Sequence, residues 1–316
     1  MKLTFDEICS LTFGAVRIHE EEDGIHFEKC TENEAASWIG FRPDKPRIPY
    51  ATTGIRLDFK TDSEFLRFTA SNGKKFELLL NGLHYRNYNR LGEEYTIRID
   101  LPEGENRVTL VFPSHTVGVL KSVELSDGAA FEPWKHDRKF RFLGDSITQG
   151  ARSDNDSDSF AWQVTLAYNA DSEITGLGGG IFMTGTIERT EFEPDTVLVA
   201  YGTNDTKRRD SFEAYKDGVE QTLSHIRALY PKSRIVVISP TWRADGEAVF
   251  RVGVPVDTCL RAVLEIARKM GFDVIDGYAL VPHDTTLYAD KRLHPNSAGF
   301  AYYSWNLIRE LKKIGI

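Results

Sequence analysis

Cysteine is scarce in this chain: only Cys9, Cys30 and Cys259 occur in 316 residues. An odd number spaced so widely makes no disulfide framework and no metal-ligand pattern, so idle thiols in a reducing cytoplasm are expected. Long apolar runs are missing too. Nothing reaches membrane-spanning length, and Met1-Lys2-Leu3-Thr4-Phe5-Asp6-Glu7 turns charged before a signal-peptide core could begin. Positive charge is in deficit, with 39 Lys and Arg against 47 Asp and Glu and a net charge of −8. That balance argues against nucleic acid and anionic membranes as partners, because both need clustered cations. Internal repeats and low-complexity tracts are also absent. What remains, 41% hydrophobic and 27% charged, is the composition of a globular protein able to bury a core. Its length leaves room for two domains.

The two halves follow different patterns. Up to about residue 130, Ile55-Arg56-Leu57-Asp58-Phe59-Lys60 and Tyr95-Thr96-Ile97-Arg98-Ile99-Asp100-Leu101 alternate apolar and polar residues, as do Val108, Leu110 and Phe112. Period-two alternation puts one face of a strand in a core and the other in water. Asn72-Gly73 and Asn81-Gly82 signal hairpin turns, because both central turn residues need positive φ. Short strands without a convincing amphipathic helix predict an all-β sandwich, jelly-roll-like, over 1–130. Residues 131–138 read as a linker, with four charged or His residues in a row from Lys135 to Arg138.

From 139 to 316 strands alternate with helices. Strands are predicted at Phe140–Gly144, Glu173–Leu177, Thr196–Tyr201, Arg234–Ser239 and Asp273–Asp276. Asp210 with Glu213 resembles a capping box, and Phe212, Tyr215, Val219, Leu223, Ile226 and Tyr230 follow at helical spacing before Pro231. Val256, Leu260, Val263, Ala267 and Met270 form a second apolar stripe, and Asn296 can cap the last helix. The alternation predicts an α/β/α arrangement with a parallel sheet covered on both faces. In such sheets ligands bind at the carboxyl ends of the strands.

Three polar triplets fall at those ends. Gly144-Asp145-Ser146 follows the first strand, Gly202-Thr203-Asn204-Asp205 follows the third, and His294-Pro295-Asn296 precedes the last helix. A serine nucleophile needs a base for its proton and donors for the oxyanion. Ser146 is the candidate nucleophile, or else a helix N-cap. Asn204 offers a side-chain amide to an oxyanion, or else braces its own turn. The glycine cluster 176–180 lets a backbone N–H approach a ligand, and Gly178 is the choice within it, a plain flexible turn being the alternative. His294 is the candidate base, because the positive end of the last helix dipole favours a neutral ring. Trp242 ends the fourth strand and either stacks on a sugar or packs in the core.

This ordered set resembles the SGNH (GDSL) hydrolase superfamily over roughly residues 138–316. The resemblance implies a serine esterase without metal or other cofactor. It assigns Ser146 as nucleophile, His294 as base, and Gly178 and Asn204 as oxyanion-hole partners of the Ser146 amide. The preceding sandwich resembles the jelly-roll domain of acetylxylan-esterase-like carbohydrate esterases. Two departures stand out. Gly176 occupies a place where the family usually has asparagine, and Lys291 stands where its acid lies, three residues before the histidine. Asp290, one place earlier, serves as the acid if the loop Ala289–Leu293 bulges by one residue; otherwise a backbone carbonyl orients His294. The expected function is a cytoplasmic serine esterase removing small acyl groups, acetyl first among them, from carbohydrates. The rivals are a GDSL lipase or thioesterase for longer chains and an inactive hydrolase that binds carbohydrate.

Overall fold

A computed structural model describes residues 1–89 and 94–316. The first part of the chain builds two antiparallel sheets. In one, the strands run in the order Thr12–Phe13, Arg56–Thr61, Asn106–Val111, Lys75–Leu80 and Leu83–Asn89, with Phe131–Pro133 added on Arg56–Thr61. In the other the order is Arg17–Glu21, Gly24–Glu28, Val119–Leu125, Phe65–Asn72 and Tyr95–Asp100. Alternate side chains from both meet in one core, with Phe27, Leu57, Phe68, Leu110 and Leu120 fully buried.

The two Asn-Gly signals have different outcomes. Asn81 (φ 53°) and Gly82 (φ 81°) join the paired strands Lys75–Leu80 and Leu83–Asn89 in a tight hairpin. Asn72-Gly73 instead carries the chain from one sheet to the other, since the strands on either side of it belong to different sheets. Two helices, Phe5–Ser10 and Glu32–Phe41, also interrupt this part, against the expectation of strands alone. Each starts on a complete capping box, Thr4 with Glu7 and Thr31 with Glu34. The stretch read as a linker begins in the strand Phe131–Pro133 and ends in the strand Arg138–Gly144.

The second part is a parallel sheet in the order Ala170–Gly176, Arg138–Gly144, Thr196–Ala200, Arg234–Ile238 and Asp273–Ile275. Phe140 and Phe142 pack on one face with Phe160, Phe300 and Leu307, from the helices Phe160–Ala167 and Ser297–Lys313. Val197 and Val199 pack on the other with Val219, Leu223 and Val263, from the helices Phe212–Leu229 and Val256–Lys269. Ser211, rather than Asp210, caps the first of these, accepting from Ala214 N. Asp210 instead forms an ion pair with Arg251. Asn296 caps the last helix, accepting from Gly299 N at 2.9 Å.

The antiparallel part packs against the edge strand Ala170–Gly176. Buried Arg56 donates to the carbonyls of Ala170 (3.1 Å) and Ser172 (3.4 Å). Arg141, wholly buried, lies 3.3 Å from both Glu34 of the first part and Glu173 of the second. Burial without full compensation pushes the Glu34 carboxyl up, and Glu173 to about 7. These polar links tie the first part to the edge of the parallel sheet.

Candidate active site

The strand Arg138–Gly144 delivers Ser146 into a turn rather than a helix. Gly144 is required there, because a Cβ would overlap the Thr148 hydroxyl. Asp145 is buried and braces the turn, its Oδ1 accepting from Ile147 N at 2.9 Å. Burial raises the Asp145 carboxyl to about 7. Between Arg141 and Gly150, Ser146 is the one residue not buried.

Ser146 Oγ lies 3.0 Å from His294 Nε2. On the far side of the ring, His294 Nδ1 lies 2.7 Å from Asp290 Oδ2. The loop does bulge: Lys291, the extra residue, takes a left-handed φ of 57°. Asp290 Oδ1 accepts from the backbone N–H groups of Arg292 (3.0 Å), Leu293 (2.7 Å) and His294 (3.1 Å). Partial burial raises the Asp290 carboxyl, but these backbone bonds and the His294 ring outweigh it and hold the group well below the usual carboxylate range. Asp290 is therefore a fixed anion facing one imidazole nitrogen while the serine faces the other.

The expected oxyanion donors converge on the same cleft, of about 370 Å³, which Ser146, Gly178, Asn204 and His294 all line. Two of them already have partners. Gly178 N donates to Gln149 Oε1 at 3.1 Å, and Asn204 Nδ2 is shared between Asp145 Oδ2 (3.2 Å) and Gly180 O (3.0 Å). Gln149 Nε2 in turn donates to Ser114 O at 2.8 Å, so the orientation of its amide is set from the antiparallel part. Lys29, buried and drawn down to about 8 by desolvation, donates to Thr53 Oγ1 (2.8 Å) and Gly176 O (3.0 Å). Thr53 Oγ1 donates to Ser114 O at 2.7 Å. Two hydrogen-bonded paths from the first part thus meet the glycine-rich turn. The backbone of Gln149 explains the missing asparagine: a Cβ at Gly176 would stand 2.5 Å from Gln149 N.

Sequence reasoning passed over Gln149 although it lies inside the serine motif. Lys29, Lys45 and Arg47 carry no local signal, because only the folded chain brings them to the site, and Arg152, though close to Ser146 in sequence, belongs to no motif. Trp242 is not among the cleft residues; its ring stacks on His283 at 5.1 Å and meets Tyr288 edge-on. Among the described residues, His19, Glu21 and His26 bring three metal-type ligand atoms within 4.8 Å of one another. They line a neighbouring cleft of about 650 Å³ that shares Arg47 and His115 with the first.

The chain is similar to several known proteins in sequence and in fold. An acetylxylan esterase from Xylanibacter ruminicola is 24% identical over 133 residues, 34% of this chain and 26% of that protein. An isoamyl acetate-hydrolyzing esterase 1 homolog from Rattus norvegicus is 24% identical over 135 residues, 36% of this chain and 54% of that protein. The matches thus span about a quarter and about half of these relatives. Among solved structures, a salicylyl-acyltransferase from a tetracycline biosynthetic pathway superposes with a TM-score of 0.86 at 19% identity, covering 100% of this chain and 98% of that one. A family two carbohydrate esterase from Clostridium thermocellum, in complex with cellohexaose, gives 0.69 at 17% identity, covering 96% and 98%. At such identities these likenesses establish a shared fold. A family-wide sequence pattern matches residues 142–302, about half of the chain and all three polar triplets, so the chain belongs to the GDSL-like lipase/acylhydrolase family.

Proposed function

We propose that this acyl hydrolase is a serine esterase that removes small acyl groups, acetyl first among them, from carbohydrates. The observation that carries the reading is the line Ser146 Oγ, His294 Nε2, His294 Nδ1, Asp290 Oδ2, with its two contacts of 3.0 and 2.7 Å. His294 Nε2 takes the serine proton as Oγ attacks the ester carbonyl carbon. Asp290 holds the Nδ1–H and stabilises the imidazolium that forms. The oxyanion is met by the N–H of Ser146, with those of Gly178 and Asn204 joining as they turn from Gln149 and from Asp145 and Gly180. His294 then returns the proton to the departing alcohol, and water releases the acyl group by the same route.

The small-acyl preference is supported by the lining of the cleft. Among the described residues, Ile48 and Ala151 are its only apolar side chains, too little surface to reward a long acyl chain at about 25 cal/mol per Å². The carbohydrate preference is supported by the fold shared with carbohydrate esterases. Residues 1–130, as a jelly-roll-like domain set over residues 139–316, would wall one side of the site. Three unpaired cysteines accord with a reducing cytoplasm. A fluorophosphonate probe tests the nucleophile: mass spectrometry should find it on Ser146, at a rate that collapses in His294→Ala. Labelling elsewhere, or indifference to His294, would reject the mechanism. On nitrophenyl esters the rate should fall from acetate to octanoate; a rise would favour the lipase.

A further inference from the structure

The cleft around Ser146 has a charge opposite to that of the whole molecule. The chain carries −8, yet among the described residues Lys45, Arg47 and Arg152 line this cleft and no Asp or Glu does. None of the three forms an ion pair or a side-chain hydrogen bond among the described residues. Neighbouring cations are committed. Arg42 is bidentate to Asp44, Arg243 is bidentate to Asp245, and Arg251 pairs with Asp210. Lys45, Arg47 and Arg152 are all exposed, so solvent weakens their mutual repulsion without giving them a counter-charge, which an anion in the cleft would supply.

Both segments that present them are stiffened. Lys45 and Arg47 sit on Pro43–Pro49, where every third residue is proline. Trp38 Nε1 donates to Lys45 O at 3.0 Å, and Lys45 N donates to Arg42 O at 2.9 Å, pinning the loop. Proline lowers the entropy lost on ordering a charged side chain's backbone. Arg152 has a φ of 79°, a region that costs any residue with a Cβ and is kept where the surroundings impose it, ligand clamps included. Arg47 and His115 also line the neighbouring cleft, whose Glu21 and Glu28 lie beside His19, His26 and Arg17, so Arg47 stands where the groove runs on away from Ser146. A small acyl group ends beside the serine; the bulk of the alcohol must lie along the groove.

We propose that the preferred ester carries an anionic group, a carboxylate or a phosphate, on its alcohol portion, and that Lys45, Arg47 and Arg152 receive it. This rests on Ser146 being the nucleophile. Three esters with the acetyl at one position test it: acetylated glucose, acetylated glucuronate and acetylated glucose 6-phosphate. At low ionic strength kcat/KM should be at least about tenfold higher for one or both anionic esters, with the advantage shrinking as salt screens it. Which anionic ester leads tells carboxylate from phosphate. The double variant Arg47→Gln/Arg152→Gln should bring the anionic-to-neutral ratio close to one, and Arg47→Lys should keep most of it. A ratio near one in the parent, or one indifferent to the double variant, overturns the proposal. So does a charge preference confined to the acyl side, with nitrophenyl succinate outrunning nitrophenyl acetate and the sugars undiscriminated. Nitrophenyl acetate with Ser146→Ala reports separately on the nucleophile. If that reading fails, calorimetric binding of the same three sugars to the folded parent still decides: equal or absent affinity for the anionic ones overturns the proposal.

Discussion

Asp290 and His294 are joined by a 2.7 Å carboxylate–imidazole contact across an interval of four residues, and the left-handed Lys291 between them makes that interval fit. The carboxylate spends its other oxygen on three successive backbone N–H groups, so its position is fixed before substrate arrives. Asp290→Asn keeps the shape but removes the charge and disturbs the tautomer of His294. We expect kcat to fall by about 10²–10⁴ with KM little changed. A rate within a few-fold of the parent would mean that the ring is oriented without this acid.

Lys291 gives the same relationship a second handle. Lys291→Gly suits the left-handed φ and should leave activity intact while slightly stabilising the loop. Deleting the residue restores the usual spacing in sequence but not the bulge, and should cost more activity than Asp290→Asn does. An active deletion variant would contradict the fit described here.

Gln149 holds the Gly178 N–H through its carbonyl oxygen. A carboxylate at that position would hold it more tightly and repel the developing oxyanion. Gln149→Glu should therefore lower kcat by about 10²–10³, the usual cost of losing one oxyanion donor. An unchanged kcat would show that Gly178 does not serve the oxyanion.

The buried charges set the pH dependence of stability. Desolvation raises Asp145 and Glu173 to about 7 and Asp205 to about 6. Folded values above the unfolded ones, about 4, mean that this stability is full at low pH and is lost as pH rises toward 7. His136, lowered to about 4 chiefly by burial, works the other way, losing stability as pH falls from about 6.5. Burial also lowers His115, but it raises Glu34, Glu77, Asp156 and Asp171 as well, so the carboxyls outweigh the two imidazoles and the melting temperature should be lower at pH 8 than at pH 5.5. Asp205→Asn should narrow that difference. A higher melting temperature at pH 8 would contradict the direction of these shifts.

Arg141 balances Glu34 and Glu173 where the two parts of the chain meet. Arg141→Met leaves two buried carboxyls without their cation, and should cost about 3–5 kcal/mol in chemical denaturation. A loss below about 1 kcal/mol would mean that the cluster contributes nothing to joining the parts.

Much of the parallel-sheet part was legible because its signals are local. The predicted strands Phe140–Gly144 and Arg234–Ser239 meet the observed Arg138–Gly144 and Arg234–Ile238 within two residues at either end. The helix Glu32–Phe41 was missed because it buries only a short stripe, Ala35 and Trp38 among it; its Thr31–Glu34 capping box was nevertheless readable. Asn72-Gly73 misled because a turn signal fixes the local backbone and not which sheet the next strand joins. The cleft cations were beyond sequence reading: Lys45 and Arg47 meet Arg152 only because more than a hundred residues fold between them. Arg243 and Arg251, by contrast, are committed to Asp245 and Asp210.

The most direct test of the central reading is hydrolysis of p-nitrophenyl acetate by the purified protein, with Ser146→Ala measured in parallel and both shown to be folded. The expected result is turnover by the parent and a loss of at least about 10³-fold in the variant. Equal rates in the two proteins, or no turnover by the folded parent, would contradict a serine esterase built on Ser146.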